Sequence, residues 1–584
     1  MRSLTTRRAQ DAFHYGTIWV AGGSALVLLV LQVLYRFRPG FGVAVLQMAD
    51  LGIAALLYIA ALRSRAQAER RDLEPFSVKV EQAWALGFAA LTLIELALVV
   101  GADRSYPGVS ATSALGKAVI VVLALRLRSR LLAREYATSV RALVLSPPAT
   151  VAASFGLAIT AGWLLLVLPE ASASGQSVGA LDALFTSTSA VCVTGLIVRD
   201  TPRDFSLLGL VVILLLIQFG GLGIMTLAAM FGAARGQKVS MRARMIVRDT
   251  LVAQDPHAVG RTLGLIALFT FSVEAIGAAL LYLRWVLGGE TPVRAAWLAV
   301  FHAISAFCNA GFSLFSNSLE DYSADPLVNI VIGGLIVVGG LGMPVVLDLW
   351  HTARLRQMGR RARLTLHTRL TLTTTGCLLL LGFVGFWLLE WTHIMLRQDW
   401  AEAFWSAGFQ SITPRTAGFN TVPMGALTEA TKFLMVLLMF VGASPGSTGG
   451  GVKTTTLAVV SVLARAMILG ESRVQAFRRA IPEQVRHRAV AILILFGGSV
   501  LLWTFALCIS EGGRFIDVLF ETVSAFGTVG LSTGMTPTLT RFGRVAIILA
   551  MYIGRVGPLT LALAMARRKP AVELAYPEEP VMVG

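Results

Sequence analysis

Phe520-Glu-Thr-Val-Ser-Ala-Phe-Gly-Thr-Val-Gly530 is one of four related stretches in this chain of 584 residues, and each stands between two long apolar runs. In each stretch a phenylalanine begins a half-polar segment that ends in glycine. The glycine lies ten residues after the phenylalanine in three stretches, and the third stretch is one residue shorter. The other three stretches are Phe185–Gly195, Phe301–Gly311 and Phe409–Gly418.

A second glycine-containing motif follows each stretch, 24 to 28 residues after its final glycine. These motifs begin at Gly220, Gly339, Gly442 and Gly554. The same order of apolar run, half-polar segment with a glycine turn and second apolar run therefore occurs four times. Such self-similarity predicts an internal four-fold repeat.

The composition is typical of a membrane protein. Hydrophobic residues make up 55% of the chain and charged residues 14%, with a mean hydropathy of +0.72. Soluble domains carry roughly 25% charged residues, so an ordinary soluble enzyme and a disordered chain are both excluded. We expect an all-α polytopic membrane protein of about twelve transmembrane helices. The predicted spans lie near residues 16–35, 42–62, 82–102, 112–127, 150–168, 206–231, 263–287, 327–350, 369–391, 430–465, 488–509 and 543–566.

The net charge of +17 comes from arginine and lysine clusters that lie between apolar runs. This arrangement favours a topology signal over a nucleic-acid patch, and no nucleic-acid partner is expected. Each cluster follows an even number of predicted spans, so both termini are predicted to be cytoplasmic and the glycine stretches to face outside. The clusters lie within residues 63–79, 126–141, 235–248, 354–363, 473–488 and 567–569.

Four glycine turns at membrane depth constrain the function. Non-helical backbone is tolerated there only where it is buried or lines a watery path. Four turns around a pseudo-four-fold axis would supply a ring of carbonyl oxygens, which can replace the hydration shell of a monovalent cation. Thr528-Val529-Gly530 is similar to the first half of a potassium-channel filter turn. The alternative is that the glycines only allow close helix packing, and four matched positions argue against it.

The chain resembles the Trk/Ktr/HKT superfamily of potassium transporters and channels, and within it the Ktr-type membrane subunits. The resemblance covers about residues 147–570 and is carried by the motifs Ser305–Phe312, Arg415–Thr421, Gly446–Thr456 and Gly554–Thr560. It implies four M1–P–M2 units, each a span, a pore helix and a second span, around one pore in a single polypeptide. It also implies a homodimer.

The resemblance further implies that the four glycines belong to a selectivity filter, in which K⁺ is the transported ion and binds only to backbone carbonyls. In plant relatives a serine at the first of these positions accompanies sodium transport. All four positions are glycine here, which favours potassium, and Na⁺ stays a further candidate. The predicted filter residues are Cys192, Val193, Thr194, Gly195, Cys308, Asn309, Ala310, Gly311, Arg415, Thr416, Ala417, Gly418, Gly527, Thr528, Val529 and Gly530.

The run at 430–465 is interrupted by glycine, serine and proline, which cannot hold a helix at membrane depth. The resemblance implies that this break is a gating loop, residues 442–456, beneath the filter, and that Arg555 of the last span faces it. A snorkelling arginine is the less favoured alternative, because about eleven mostly apolar residues separate Arg555 from the next arginine. The predicted gate residues are Gly442, Ser444, Gly446, Ser447, Thr448, Gly449, Gly450, Gly451, Lys453 and Arg555.

The segment Gly446–Thr454 also looks like a phosphate-binding loop. That motif needs glycine and lysine to be adjacent after a strand, whereas Val452 separates Gly451 from Lys453 here. No nucleotide is expected to bind this chain.

Acidic residues give a weaker signal. Asp182, Glu402 and Asp517 begin the predicted pore helices, where they either cap the helix or attract cations from outside. Glu521 lies within a pore helix and is expected to bond to neighbouring backbone. Glu274 lies within a span and is expected to make a polar contact between helices.

The predicted domain organisation has six parts. An extra N-terminal membrane domain of about four helices, residues 1–146, has no assigned role. Pore repeats follow at 147–235, 236–355, 356–472 and 473–570, and a cytoplasmic tail occupies 571–584.

Together these features predict a channel-like potassium uptake protein in a bacterial-type inner membrane, in contact with lipid. The resemblance implies a cytosolic nucleotide-binding regulatory ring of the TrkA/KtrA type as partner. A sodium- or proton-coupled symporter on the same scaffold and a non-conducting assembly subunit are the alternatives. No cluster of catalytic side chains supports an enzyme.

Overall fold

The computed structural model describes residues 147–223, 259–565 and Glu579. The chain divides into two compact parts, residues 1–144 and 145–584. Every described residue lies in the second part. The predicted N-terminal domain, the cytoplasmic tail apart from Glu579, and the basic clusters at 63–79, 126–141, 235–248 and 567–569 lie outside the described residues.

The described residues contain 16 α-helices and one two-stranded antiparallel ribbon. The helices of the first half are α1 Pro147–Leu166, α2 Ala180–Val191, α3 Thr201–Asp204, α4 Leu207–Leu222, α5 Val259–Leu287, α6 Pro292–Phe307, α7 Pro326–Leu341 and α8 Met343–Gln357. The elements of the second half are α9 Leu366–Glu390, α10 Trp400–Ile412, α11 Glu429–Phe440, α12 Thr454–Ile468, β1 Gln475–Ala476, β2 Arg479–Ala480, α13 Glu483–Ser510, α14 Phe515–Gly527, α15 Arg541–Val556 and α16 Pro558–Met565.

Three kinds of helix recur in the same order, and we call each set a unit. A long apolar helix comes first (α1, α5, α9, α13), and these four are long and apolar enough to cross a membrane. A short helix follows (α2, α6, α10, α14) and ends in one of the glycine turns. An inner helix comes last (α4, α7, α11, α15). The mostly helical, multi-span fold class predicted from the sequence is confirmed.

The inner helices begin at matched polar residues. In each one a side-chain oxygen just before the first turn accepts a backbone N–H of that turn, which satisfies a donor that the helix itself cannot pair. The capping residues are Ser206, Asp325, Thr428 and Thr540.

The inner helices end at breaks that hydropathy does not reveal. The sequence predicts spans at 327–350 and 543–566, and the structure divides each of these runs into two helices. Gly342 and Gly557, with φ of 84° and 89°, separate helix pairs that are bent by 92° and 87°. Gly223, with φ of 78°, follows the first inner helix in the same way. A single glycine in the left-handed region turns the chain without lowering the mean hydropathy around it.

The units close into a ring. Each inner helix packs against the short helix of the next unit: α4 on α6, α7 on α10 and α11 on α14. The last inner helix, α15, packs against α2 of the first unit. The four short helices are therefore held around one centre.

Ion pairs reinforce two of these junctions. Lys432 on α11 lies 2.9 Å from Asp517 at the start of α14, and the lysine side chain is only 6% exposed. Arg544 on α15 lies 2.5 Å from Asp182 at the start of α2, and Arg199 pairs with the same carboxylate at 2.7 Å. These contacts fix the outer ends of the short helices to their neighbours.

We expect Lys432→Met to lower the free energy of unfolding by about 2–4 kcal/mol, because it leaves the Asp517 carboxylate without its cation. The double variant Lys432→Met with Asp517→Leu should recover part of that loss. Thermal unfolding in detergent measures both. Arg203→Met, which removes an exposed ion pair, is the matched control and should change little. A single variant as stable as the wild type would contradict a structural role for this pair.

Candidate functional site

Each short helix ends in a turn with unusual backbone geometry. Two residues before each of the four glycines, a non-glycine residue has a φ between 51° and 71°. An L-residue in this left-handed region costs roughly 1–2 kcal/mol, so contacts around the turn must hold it in place. These residues are Val193, Asn309, Thr416 and Thr528.

The four glycines also have positive φ, between 71° and 96°. Other residues rarely adopt such angles, so the backbone requires glycine here. The third unit reaches the same geometry although its stretch is one residue shorter. Its helix α10 ends at Ile412, because Pro414 cannot continue the helix.

The N–H groups of the turns point back into the protein. The residue before each glycine donates its N–H to a carbonyl near the end of the short helix, at 2.8–3.0 Å. Gly195 and Gly530 donate theirs to serine hydroxyls at 3.0 and 3.1 Å. The donor amides and their acceptor carbonyls are, in order, Thr194 to Ser189, Ala310 to Ser305, Ala417 to Thr413 and Val529 to Ser524.

The four turns meet in a closed ring. A Cβ placed on Gly195 would lie less than 3.0 Å from the carbonyl oxygen of Ala310 in the next unit. The same holds for Gly311 with Ala417, for Gly418 with Val529 and for Gly530 with Thr194. These contacts join each unit to the next, and the fourth unit to the first. A side chain on any of the four glycines would therefore enter the ring.

The carbonyl oxygens of this ring are unpaired. Among the described residues, no hydrogen bond reaches the carbonyl oxygen of Thr194, Ala310, Ala417 or Val529. Unpaired carbonyls away from water cost free energy unless a ligand takes the place of the missing donor. Four such oxygens around one centre suit a monovalent cation that has lost its hydration shell.

Glycines on the inner helices let the ring be assembled. A Cβ on Gly220, Gly339 or Gly554 would lie less than 3.0 Å from a carbonyl oxygen at the end of a short helix. Those oxygens belong to Val191, Phe307 and Phe526. The sequence showed these glycines as a repeated motif, but it did not reveal that they are contact points between helices.

The break in the third unit is a loop between α11 and α12 that lies against the turns. Its N–H at Gly450 donates to the Thr528 hydroxyl at 3.0 Å, and a Cβ on Gly449 would lie less than 3.0 Å from the Thr416 hydroxyl. Its Ser444 N–H donates to Gly340 on α7 at 3.0 Å. The Thr448 hydroxyl donates to the Phe307 carbonyl at 3.3 Å. The loop thus contacts the second, third and fourth units.

Arg555 connects the loop to the remaining unit. Its Nη1 donates to the Thr448 carbonyl of the loop, and its Nη2 donates to the Gly220 carbonyl of α4 at 2.5 Å. Its guanidinium also lies 5.8 Å from the centre of the Phe155 ring. Lys453 instead folds back on the loop and donates to the Gly449 carbonyl at 2.6 Å. Arg555 therefore bridges α15, the loop and α4.

The structure brings the predicted filter and gate residues into one cluster. Cys192 and Cys308 are buried free thiols where the helices α2 and α6 end. Arg415 is also buried, and its Nε has no hydrogen-bond partner among the described residues. The remaining predicted residues of the two sets lie in the turns and in the loop described above.

The acidic residues at the outer ends of the short helices are paired. Asp182 contacts two arginines and Asp517 contacts Lys432. Glu402 accepts from the Ser323 hydroxyl at 2.7 Å and from Gln398 at 3.1 Å. Their sequence pattern left helix capping and cation attraction open, and the contacts observed here join neighbouring units.

Two further polar contacts lie away from the ring. Gln218 on α4 donates to the buried Glu274 on α5 at 3.1 Å, which confirms the predicted contact between helices. On the outer loops, Asn420 donates to Glu320 at 2.7 Å and joins the second and third units. Burial raises the pKa of the Glu320 carboxyl, and the Asn420 hydrogen bond partly opposes that rise.

The fold and the site define a class: a polytopic helical membrane protein in which four short helices and their glycine turns surround a ring of unpaired backbone carbonyls. Comparison with known proteins agrees with this class. The model of the family "TrkH: Cation transport protein" matches residues 147–574. The chain belongs to this family of cation transport proteins, which are not enzymes.

Relatives cover the same part of the chain. The Ktr system potassium uptake protein B of Bacillus subtilis is 39% identical over 446 residues, which are 75% of this chain and 97% of the relative. The potassium/sodium uptake protein NtpJ of Enterococcus hirae is 36% identical over 75% of this chain and 98% of its own length. The crystal structure of the potassium transporter TrkH from Vibrio parahaemolyticus has the same fold, with a TM-score of 0.58 at 16% identity, over 89% of this chain and 97% of that one.

Proposed function

We propose that this chain takes up potassium through a channel-like pore whose selective site is the carbonyl ring. The observation that carries the proposal is the closed circle of four glycines and four unpaired carbonyl oxygens. The names of the relatives, potassium uptake protein B and potassium/sodium uptake protein, support the choice of ion.

The surroundings of the ring favour a cation. All four short helices end at the turns, so the negative ends of their dipoles face the centre. The glycines have only a hydrogen atom in place of a side chain, so an ion in the ring contacts only backbone oxygen atoms. K⁺ binds to such carbonyl rings in place of its water shell.

The loop of the third unit acts as the gate in this proposal. It lies against Thr416 and Thr528, the left-handed residues of the third and fourth turns. Arg555 ties it to α4, so the loop is held between opposite sides of the ring. Conduction requires the loop to move, which breaks the bonds of Arg555 to Thr448 and Gly220. The positive charge of Arg555 also repels K⁺ while the loop is in place.

Regulation and energy coupling complete the proposal. The protein works as a homodimer in a bacterial-type inner membrane, with both termini in the cytoplasm, and the membrane potential drives uptake. A cytosolic nucleotide-binding ring controls the loop. The name of the Enterococcus relative, a potassium/sodium uptake protein, favours Na⁺-coupled symport as the second candidate.

We expect Gly530→Ala to abolish or strongly reduce potassium flux, because its Cβ would collide with the Thr194 carbonyl of the ring. Gly289→Ala is the matched control. Gly289 has a similar φ of 92°, but nothing lies within 4 Å of its Cβ position, so both variants carry the same backbone strain and only one enters the ring. Rubidium uptake into proteoliposomes under an imposed membrane potential measures both.

Equal fluxes of the two alanine variants would contradict the ring as the conduction site. Flux that needs a sodium or proton gradient, rather than voltage alone, would favour the symporter. If the wild-type protein carries no flux with or without a cytosolic regulator, the chain is a non-conducting subunit.

We expect Arg555→Ala to raise rubidium flux in the absence of any regulator, because the loop loses its bonds to α15 and α4. Two hydrogen bonds from a charged donor are worth about 1.5–3 kcal/mol each, so an increase of tenfold or more is expected if the loop is otherwise closed. The exposed Arg541 at the other end of α15 provides the control, Arg541→Ala. Unchanged flux in a folded Arg555→Ala protein would show that this arginine does not hold the gate.

A further inference from the structure

Each short helix carries, at one matched position, a buried polar side chain that can bond to the residues after the ring glycine. It is the residue directly after the phenylalanine of each stretch, and it is occupied by four different residues: Thr186, His302, Gln410 and Glu521. All four side chains are buried. The differences between them set how firmly each turn is attached.

Glu521 makes the most contacts. Its Oε1 accepts the Ser532 hydroxyl at 2.5 Å and the Thr533 N–H at 3.0 Å. Its Oε2 accepts the Thr536 hydroxyl at 2.7 Å. The side chain is only 1% exposed. It therefore joins helix α14 to residues that begin two positions after Gly530.

At this position of the helix, the other units make fewer hydrogen bonds to the segment after the ring glycine. His302 donates from Nδ1 to the Leu298 carbonyl at 2.8 Å, which leaves Nε2 to accept from Ser313 at 3.1 Å and from the Leu314 N–H at 3.4 Å. Gln410 donates to the Thr421 hydroxyl at 3.3 Å, and its Oε1 has no partner among the described residues.

In the first unit the Thr186 hydroxyl donates to the Asp182 carbonyl of its own helix, and its side chain makes no other hydrogen bond within the described part of the chain. The segment after that ring glycine is attached further along, by the partly exposed Arg199–Asp182 ion pair.

We propose that Glu521 is a positioning residue that fixes the fourth turn and thereby sets how well the pore discriminates between monovalent cations. The inference rests on the proposed function, because it assumes that the ring conducts. Selectivity among ions of equal charge depends on where the carbonyl oxygens are held and how far they can follow a smaller ion. Three hydrogen bonds join Glu521 to the segment after the ring, more than at the matched position of any other unit, so this tether holds its turn most firmly.

Two variants of Glu521 separate tethering from charge. Glu521→Gln keeps the tether, because the amide oxygen can accept from Ser532 and Thr533 while the amide nitrogen donates to the Thr536 hydroxyl. Glu521→Met has a similar volume and removes every bond. The potassium-to-sodium flux ratio in proteoliposomes should stay near the wild-type value in the first variant and fall about tenfold in the second, because only the second loses all three bonds that hold the turn.

Glu511→Met is the matched control. Glu511 is a buried carboxylate in the same unit that accepts from the N–H and the hydroxyl of Thr540, at the start of α15 and away from the ring. Its loss should lower thermal stability and leave the flux ratio unchanged. An equal fall of the ratio in this control would show that the ratio reports stability only. An equal fall in Glu521→Gln would show that charge is the cause.

A second measurement does not require the protein to conduct, and it uses two different variants that remove the bonds of Glu521, so it does not depend on the folding of either one alone. Hydrogen exchange at the amides of residues 530–534 should quicken in Glu521→Met and in the double variant Ser532→Ala with Thr536→Val, and stay slow in Glu521→Gln. Unchanged exchange in the first two would overturn the proposal. A wild-type protein without flux would refute the proposed function, and the exchange data would still decide whether the tether exists.

Discussion

The structure depends on one constraint: four backbone carbonyls in the apolar, multi-span part of the chain have no hydrogen-bond donor within the described residues and lie in turns that contact one another in a closed ring. Free carbonyls are costly in such an environment, and the proposed function assigns a bound cation to compensate for that cost. The remaining features follow from holding them there. The short helices accept the N–H groups of each turn, and the positive φ values set the direction of the backbone there. The glycines of the inner helices allow the close approach that closes the ring.

The same constraint explains where the units differ. The first, second and fourth inner helices stop at one left-handed glycine, whereas the third opens into a loop that bonds to one turn, lies close to a second and bonds to neighbouring helices. A loop with its own hydrogen bonds to the other units can leave and return, which a continuous helix cannot. Arg555 supplies the contact on the opposite side. The units are thus alike at the carbonyl ring and unlike at the loop that we propose as the gate.

Much of this could be predicted from sequence. The glycines of the ring, the short helices and the interrupted third unit all carry local signals, namely spacing, amphipathic segments and residues that end helices. The bends at Gly342 and Gly557 are not visible in the hydropathy, because one glycine barely alters an apolar run, and only the prolines at 344 and 558 mark them locally. The pairing of Asp182 with Arg544, 362 positions apart, requires knowledge of the circular order of the units. The partners of Glu521 lie beyond the ring glycine and depend on the path of the outer loop.

The most direct test of the central claim is to locate the ion itself. Thallium(I), a heavy monovalent cation that substitutes for K⁺, can be placed by its anomalous scattering in crystals of the full-length protein. The account predicts an anomalous peak on the axis of the ring, among the carbonyl oxygens of Thr194, Ala310, Ala417 and Val529, which K⁺ displaces and which is lost in Gly530→Ala. A peak that lies only beside carboxylates, or an axis without any peak in a folded protein, would contradict it.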